Sequence, residues 1–201
     1  MYEIELRALV DGFDKTREKL DNIAEPVKLN QKEATIFFYN PSQNDFELRL
    51  RLRKNKYILS FKEALSKKAR KEIESEVSNP EAVYDLLLKS GFKISMIVAR
   101  VKFNYIYNEF EILLNRIIDW GDAIEVETKS DSDDNVEQIR ESIREFMKSK
   151  LGIHKFLTRG NLKLMNNEYR SKIDFSSIKL QELIDYVSEA KDDINFISQK
   201  K

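Results

Sequence analysis

Residues 45–54 read DFELRLRLRK, and the alternation in this stretch decides the fold. Because successive side chains of a β-strand point to opposite faces of the sheet, one face of this strand is apolar and the other is charged. The apolar face comprises Phe46, Leu48, Leu50 and Leu52. The charged face comprises Glu47, Arg49, Arg51 and Arg53. Asn55 interrupts the pattern, and KYILSFK (residues 56–62) follows as the return strand of a hairpin.

The rest of the chain predicts more strands of the same kind, with helices inserted between them. We predict further strands at residues 2–9, 33–40, 70–77, 97–107, 109–117 and 123–129. PSQND (residues 41–45) is predicted to be a turn. A helix is predicted near 11–24, with Asp14 as its cap, and another starts at Asn79–Pro80 and ends just before Gly91. Two more helices are predicted near 135–150 and near 178–190. The predicted fold class is therefore α+β, with about eight strands in an antiparallel sheet.

The totals exclude several classes of protein and of site. The length of 201 residues suits one large domain, and 35 basic residues balance 35 acidic ones, so the chain lacks the net positive charge of nucleic-acid-binding proteins. The absence of cysteine excludes disulfides and thiolate sites, and one histidine, His154, argues against a His-based site. No membrane span and no signal-peptide pattern is present. We therefore expect a cytoplasmic protein without membrane or nucleic-acid partners.

The charged faces of the predicted strands are nearly segregated by sign, which a solvated surface explains poorly. The acidic faces carry Glu3 and Glu5 on one strand, Glu72, Glu74 and Glu76 on another, and Glu125 and Glu127 on a third. The basic faces carry Arg49, Arg51 and Arg53 on one strand, Lys62 on its partner, and Arg100 and Lys102 on a third. If such strands close into a barrel, the ionic residues line the lumen and the apolar residues point outward beneath helices. Arginine and lysine suit phosphate oxygens, and carboxylates suit divalent cations. Such a lumen fits a polyphosphate bound together with metal.

The ordered series of these motifs resembles the CYTH superfamily, also called triphosphate tunnel metalloenzymes. The series comprises EIELR (3–7), RLR (49–51), Lys62, KEIESE (71–76), ARVK (99–102) and EVE (125–127), with a loose extension to Glu168 and Tyr169. The family includes class IV adenylate cyclases, thiamine triphosphatases and inorganic triphosphatases. The resemblance implies an eight-stranded antiparallel β-barrel that forms a charged tunnel over residues 1–175. The C-terminal helix and tail, residues 176–201, are expected to pack on the same domain.

The resemblance also implies roles for individual residues. Metal ligands for Mg²⁺ or Mn²⁺ are implied at Glu3, Glu5, Asn115, Glu125 and Glu127. Phosphate-binding cations are implied at Arg49, Arg51, Lys62, Lys71, Arg100 and Lys102. The catalytic set is Glu3, Glu5, Arg7 and Glu74, the last as a carboxylate that positions water. The neighbouring acidic residues of the 72–76 run are interpreted as counter-charge for the arginines.

Three positions depart from the family pattern. Arg7 replaces the usual lysine, and because arginine does not deprotonate at working pH, a proton-transfer role is excluded there. The pair Arg100 and Lys102 inverts the usual order of lysine and arginine, which changes the position that offers a bidentate fork. Asn115 replaces the usual aspartate, so it brings an oxygen donor without negative charge. We expect a weaker or differently selective metal site.

Three functions follow as hypotheses. The first is a metal-dependent triphosphatase that hydrolyses inorganic tripolyphosphate or a related triphosphate. The second is a class IV adenylate cyclase, which forms cAMP and pyrophosphate from ATP and needs an adenine pocket that no sequence element indicates. The third is a polyphosphate-binding protein without catalysis, suggested by Asn115 and Arg7. The partner in each case is a triphosphate-containing small molecule. The amphipathic helix near 178–190 is a further candidate, for a homodimer contact.

Overall fold

The computed structural model describes residues 2–64, 70–130, 135–157, 175–192 and 194; of Tyr2, Glu3, 43–45, 63–64, 70–72 and 176 it describes the backbone alone. Within these ranges the strands are β1 (Tyr2–Leu9), β2 (Glu25–Asn40), β3 (Gln43–Arg53), β4 (Lys56–Ala64), β5 (Arg70–Glu76), β6 (Lys93–Tyr107), β7 (Phe110–Ile117) and β8 (Gly121–Ser130). The helices are α1 (Phe13–Ile23), α2 (Pro80–Lys89), α3 (Val136–Phe146) and α4 (Leu180–Val187). A π-helical turn, Met147–Leu151, continues α3, and a 3₁₀ turn, Phe175–Ser177, precedes α4.

The eight strands form one sheet in the order β1-β8-β7-β6-β2-β3-β4-β5. The strand pairs whose register is described, β1–β8, β2–β3, β3–β4, β4–β5 and β7–β8, are all antiparallel. The predicted α+β class and the predicted number of strands are confirmed. None of the helices in the described ranges is long and apolar enough to cross a membrane.

Local side-chain chemistry explains where two helices begin. Helix α2 begins where predicted, and Asn79 is its N-cap, because its Oδ1 accepts a hydrogen bond from the backbone N–H of Ala82 at 2.9 Å. The predicted cap Asp14 is wrong: the N-cap of α1 is Gly12, with φ +99°, and Asp14 lies in the first turn. The carboxylate of Asp122 accepts the Phe13 N–H at 3.0 Å, so a side chain distant in sequence satisfies this helix end.

Several strand boundaries also differ from the predictions, among them the starts of β2, β3 and β6, the last of which begins at Lys93 rather than at 97. Strand β2 begins at Glu25, eight residues before the predicted start, and its first seven residues are exposed. Val27 and Leu29 are the only large apolar residues among these seven, and Pro26 disfavours a strand interior, so the strand signal is weak here. The predicted turn at 41–45 is confined to Pro41 and Ser42, and β3 begins at Gln43. Segment 168–169 lies outside the described residues, as does most of the tail.

By its internal contacts the chain divides into two compact units, unit 1 (Met1–Gln31 and Val101–Met165) and unit 2 (Lys32–Arg100 and Asn166–Lys201). In unit 1, the alternate residues Ile4, Leu6 and Ala8 of β1 join apolar residues of β6, β7, β8, α1 and α3 in one buried cluster. The opposite face of β1 carries Glu5 and Arg7. The prediction that apolar faces pack beneath helices is confirmed for this unit.

Unit 2 shows the same division of faces. On β3, Leu50 and Leu52 are fully buried, and the register places them opposite Ile36 and Ala34 of β2, which are buried too. Helix α4 packs against β3 and buries an apolar stripe of Leu180, Leu183, Tyr186 and Val187. These four side chains are covered within the chain, and a homodimer contact of this helix stays a prediction.

Candidate active site

The cross-strand register of unit 1 aligns acidic residues of three strands. Glu5 of β1 lies opposite Glu127 of β8, and Glu127 lies opposite Glu111 of β7. Directly opposed residues of an antiparallel pair share a face, so these three residues form a row on the face away from the apolar cluster. Sequence reasoning found Glu5 and Glu127 but missed Glu111. Strand alternation could have placed Glu111 on this face, because Phe110 and Ile112 on either side of it are buried in the cluster.

Arg7 forms the next position of this face and pairs with two of the carboxylates. It lies opposite Glu125 in the register, and its Nε is 3.2 Å from Oε2 of Glu125. Its Nη2 donates to Oε2 of Glu5 at 2.5 Å. All three side chains are largely shielded from solvent. A permanently charged guanidinium therefore offsets the repulsion that these neighbouring carboxylates would otherwise feel.

Two amide side chains on the same face carry buried oxygens without a hydrogen-bond partner. Asn115 of β7 is completely buried; its Nδ2 donates to the Leu113 carbonyl at 3.4 Å, while its Oδ1 has no partner. The Oδ1 of Asn104 on β6 is also buried and unpaired. Alternation places Asn104 opposite to Phe103 in the apolar cluster, and therefore on the ionic face. Sequence reasoning named Asn115 and missed Asn104.

These residues suit a hard divalent cation in their chemistry. The carboxylates of Glu5, Glu125 and Glu127 and the unpaired amide oxygen of Asn115 are the kind of donor that Mg²⁺ and Mn²⁺ take. Within the described part of the chain, no three acidic or histidine side chains converge closely enough to form a metal-binding group. Of Glu3, a predicted ligand, the structure describes the backbone alone.

Lys102 completes the ionic face of unit 1. It is one of the few buried charged residues in the described ranges, and alternation along β6 places it, like Asn104, opposite to the apolar cluster. Burial of a lysine side chain is costly unless its charge is compensated. A buried ammonium on a face that also carries carboxylates fits the predicted role as a binding cation.

The basic face of unit 2 centres on Arg51. Its side chain is 16% exposed, and its Nη1 lies 3.4 Å from Oε1 of Glu74 on β5. Burial lowers the pKa of Arg51 from its ordinary value, while the nearby carboxylate of Glu33 opposes this effect. Its Nε is buried and has no hydrogen-bond partner. Arg51 is therefore a shielded cation with an unsatisfied donor.

Arg49, two residues before Arg51 on β3, lies on the same face. Its guanidinium pairs with Glu47 and lies over the Phe37 ring, 5.5 Å from the ring centroid. Ser60 of β4 lies opposite Arg49 in the register, is completely buried, and has a hydroxyl without a hydrogen-bond partner. Sequence reasoning missed Ser60, because a single serine in a strand carries no signal of its partners.

The two predicted lysines of unit 2 occupy different positions in the register. Lys62 lies opposite Glu47 on β3 and Glu72 on β5, and therefore in the ionic face. Lys71 pairs with Glu63, one residue out of phase with that row. The register therefore does not bring Lys71 together with the other predicted cations, and its assignment stays a prediction.

Glu33 is the buried acid of unit 2, and sequence reasoning missed it. Its side chain is 1% exposed, and its Oε2 accepts from Nε of Arg53 at 2.6 Å. Its Oε1 accepts from Nε of Arg100 at 3.0 Å and also from Nη2 of the same residue. No local pattern indicates this pairing, since Arg53 and Arg100 lie 20 and 67 residues away in the chain.

The family is decided by a comparison with family models. The model of the CYTH domain matches residues 1–157. This chain belongs to the CYTH domain family. The resemblance drawn from the ordered motifs is thereby confirmed over most of the chain. The comparison with curated proteins gives no match.

Solved structures support the membership. The CYTH chain is 27% identical to the PH1819 protein from Pyrococcus horikoshii OT3, with a TM-score of 0.67; the match covers 82% of this chain and 98% of the other. It is 28% identical to the conserved hypothetical protein Pfu-838710-001 from Pyrococcus furiosus, with a TM-score of 0.66 and coverage of 81% and 99%. HpAC1 from Hippeastrum, described as an adenylyl cyclase candidate with a dominant triphosphatase activity, is 19% identical, with a TM-score of 0.58 and coverage of 81% and 93%. This last likeness shows the fold alone.

Proposed function

We propose that this CYTH protein is a divalent-metal-dependent triphosphatase that hydrolyses inorganic tripolyphosphate or a related triphosphate. The observation that supports this most is the chemistry of the buried polar atoms that have no hydrogen-bond partner. On the basic face of unit 2 these include the Arg51 Nε and the Ser60 hydroxyl, which can donate. On the ionic face of unit 1 they include the amide oxygens of Asn104 and Asn115, which can only accept, and the Arg7 Nε, a donor that already lies 3.2 Å from Oε2 of Glu125. A buried unsatisfied polar atom costs about 1–3 kcal/mol, so donors suit an anion and acceptors suit a cation in these places.

The basic face of unit 2 supplies the chemistry for binding phosphates. Arginine guanidiniums form paired, charge-assisted hydrogen bonds with phosphate oxygens, and shielding from water strengthens them. Arg49 and Arg51 are two residues apart on one strand, so their side chains share one face of the sheet and their Cα atoms lie about 7 Å apart. We assign Arg49, Arg51, Lys62 and Arg100 of unit 2 and Lys102 of unit 1 to phosphate binding.

The ionic face of unit 1 supplies the donors for the metal. We assign Glu3, Glu5, Asn115, Glu125 and Glu127 to Mg²⁺ or Mn²⁺ binding. A bound divalent cation would neutralise phosphate charge that otherwise repels an attacking water. Arg7 holds the carboxylates of Glu5 and Glu125 in place and, being always protonated, contributes orientation and charge rather than proton transfer.

In the proposed reaction a water oxygen forms a bond to a terminal phosphorus of tripolyphosphate, and the phosphoanhydride bond to that phosphorus breaks. The products are orthophosphate and pyrophosphate, and the proton released by water ends in solution or on a product oxygen. Glu74, which is more than two-fifths exposed and pairs with Arg51, is the carboxylate that we assign to orienting the water.

The deciding experiment is product analysis of the purified protein with Mg²⁺ and, separately, Mn²⁺. Tripolyphosphate and ATP are offered in separate reactions, and products are resolved by ion chromatography. We expect orthophosphate and pyrophosphate from tripolyphosphate. An Arg140→Gln variant, which changes an exposed arginine of α3, is expected to give the same products. It also serves as the control for loss of one positive charge when arginines of the basic face are replaced.

Other products would contradict the proposal in different ways. Cyclic AMP and pyrophosphate from ATP would show a cyclase instead. Binding of tripolyphosphate without turnover at either metal would show a binding protein. Absence of both binding and turnover would overturn the assignment of the basic face to phosphates.

A further inference from the structure

The buried carboxylate of Glu33 contacts two arginines that come from different strands. Strand β2 lies between β6 and β3 in the sheet, and Glu33 reaches Arg100 of β6 and Arg53 of β3 with separate oxygens. Carboxylates are almost never as fully buried as this unless they are paired. The removal of one partner from a buried ion pair leaves an uncompensated charge. The orientation of both guanidiniums is therefore tied to one side chain that cannot turn into solvent.

The electrostatic influence of Glu33 extends to a third arginine. Burial is the main cause that lowers the pKa of Arg51, and the charges of Arg53 and Arg49 lower it further, whereas Glu33 and Glu74 raise it. Glu33 is the stronger of these two opposing carboxylates. The single buried carboxylate of Glu33 thus offsets the electrostatic repulsion between neighbouring guanidiniums.

We infer that Glu33 is a positioning residue that orients the guanidinium of Arg100 toward a triphosphate, an inference that rests on the proposed function. Nε and Nη2 of Arg100 both donate to Oε1 of Glu33, so one edge of the planar fork is fixed. A fixed edge determines the direction of the rest of the fork, and correct orientation before binding is what makes bidentate phosphate contacts strong. Glu33 itself carries negative charge and does not contact the phosphates.

The inference makes a prediction opposite to that of simple electrostatics. If the charge of Glu33 mattered only through its sign, its removal would increase the positive potential of the face, and polyanions would bind more tightly. If Glu33 orients Arg100, its removal weakens binding. If Glu33 only stabilises the sheet, the folded fraction changes while the affinity of the folded protein stays the same.

The test is a double-mutant cycle for the affinity of tripolyphosphate. The variants are Glu33→Gln, Arg100→Met and the double variant, with Glu189→Gln as a matched control whose exposed carboxylate pairs with Lys54. Dissociation constants are measured by titration calorimetry with a metal chelator present, which separates arginine binding from metal binding and turnover. Thermal unfolding reports the stability of each variant.

We expect Glu33→Gln to weaken binding about tenfold in the wild-type background and less than twofold in the Arg100→Met background, with the control unchanged. Equal losses in both backgrounds, unchanged affinity, or tighter binding would each overturn the inference. Glu33→Asp keeps the charge and withdraws the carboxylate by one methylene, so it serves as the test if Glu33→Gln does not fold. It too must weaken binding more in the wild-type background than in the Arg100→Met background.

Failure of the proposed function has a separate signature. If the wild-type protein does not bind tripolyphosphate, the proposed function fails, and with it the premise of the inference. If the wild-type protein binds and hydrolyses tripolyphosphate but the cycle shows no coupling between Glu33 and Arg100, only the inference fails.

Discussion

Replacement of Arg51 by methionine tests the basic face most directly. Methionine replaces the unbranched stem of the arginine side chain, so packing beside Ile58, its register partner on β4, is largely retained while the guanidinium and its charge are lost. Glu74 loses its ion-pair partner, but it is more than two-fifths exposed and water can solvate it. The variant is therefore expected to fold, with a change in the free energy of unfolding of less than about 1 kcal/mol.

The expected loss of activity follows from the shielding of Arg51. Hydrogen bonds to charged groups contribute about 1.5–3 kcal/mol. With about 2 kcal/mol lost in the transition state, kcat/KM for tripolyphosphate falls roughly 30-fold. Because the side chain is only 16% exposed, we expect the loss to persist at raised ionic strength.

The assay is steady-state release of orthophosphate at saturating metal, at low and at high salt, alongside the Arg140→Gln control. A kcat/KM within threefold of the wild-type value would refute the reasoning, because Arg51 could not then contact a phosphate. A loss that disappears at high salt would show that Arg51 acts as a distant surface charge.

Three further changes test unit 1. Glu5→Gln is expected to reduce metal-dependent turnover at least 100-fold with little change in melting temperature; retention of turnover would remove Glu5 from the metal site. Asn115→Asp places a carboxylate at a fully buried amide, so the protein is expected to unfold at lower temperature without metal and to need about tenfold less Mg²⁺ for half-maximal activity; an unchanged Mg²⁺ requirement would contradict a ligand role. Burial and donation to Asp21 raise the pKa of Tyr105 above its ordinary 10.0, so its contribution to stability is complete below pH 10 and is lost as the pH rises toward the folded pKa. Tyr105→Phe should therefore be less stable at pH 8 by about 1 kcal/mol, with the difference shrinking above pH 10 in denaturant titrations.

The alternation of side chains made much of this molecule predictable. A period of two fixes which residues share a face, and for β3 it separated Leu50 and Leu52 from Arg49 and Arg51 as the structure has them. The order of charged motifs along the chain added the family. Neither signal depends on knowledge of which strands are neighbours.

What depends on neighbours could not be predicted. Glu33 reads as an ordinary first residue of a strand, and only the placement of β2 beside both β3 and β6 gives it two arginine partners. The cap of α1 was wrongly assigned to Asp14 for a similar reason, because the first N–H of the helix, that of Phe13, donates to Asp122, which lies 109 residues away. The register of Lys71 likewise depends on how β5 pairs with β4, and its role stays a prediction.

The arginines of unit 2 have acidic partners of two kinds. Glu33 is enclosed and cannot leave, whereas the side chains of Glu47 and Glu74 are more than a third exposed and can rotate into water. An incoming anion therefore competes with the two exposed carboxylates for Arg49 and Arg51. We expect a chain of three phosphates to displace both carboxylates at once and a single orthophosphate to displace only one. We expect the carboxylates of Glu47 and Glu74 to pair with Arg49 and Arg51 again after cleavage and so to displace orthophosphate. Product inhibition by orthophosphate is then weak.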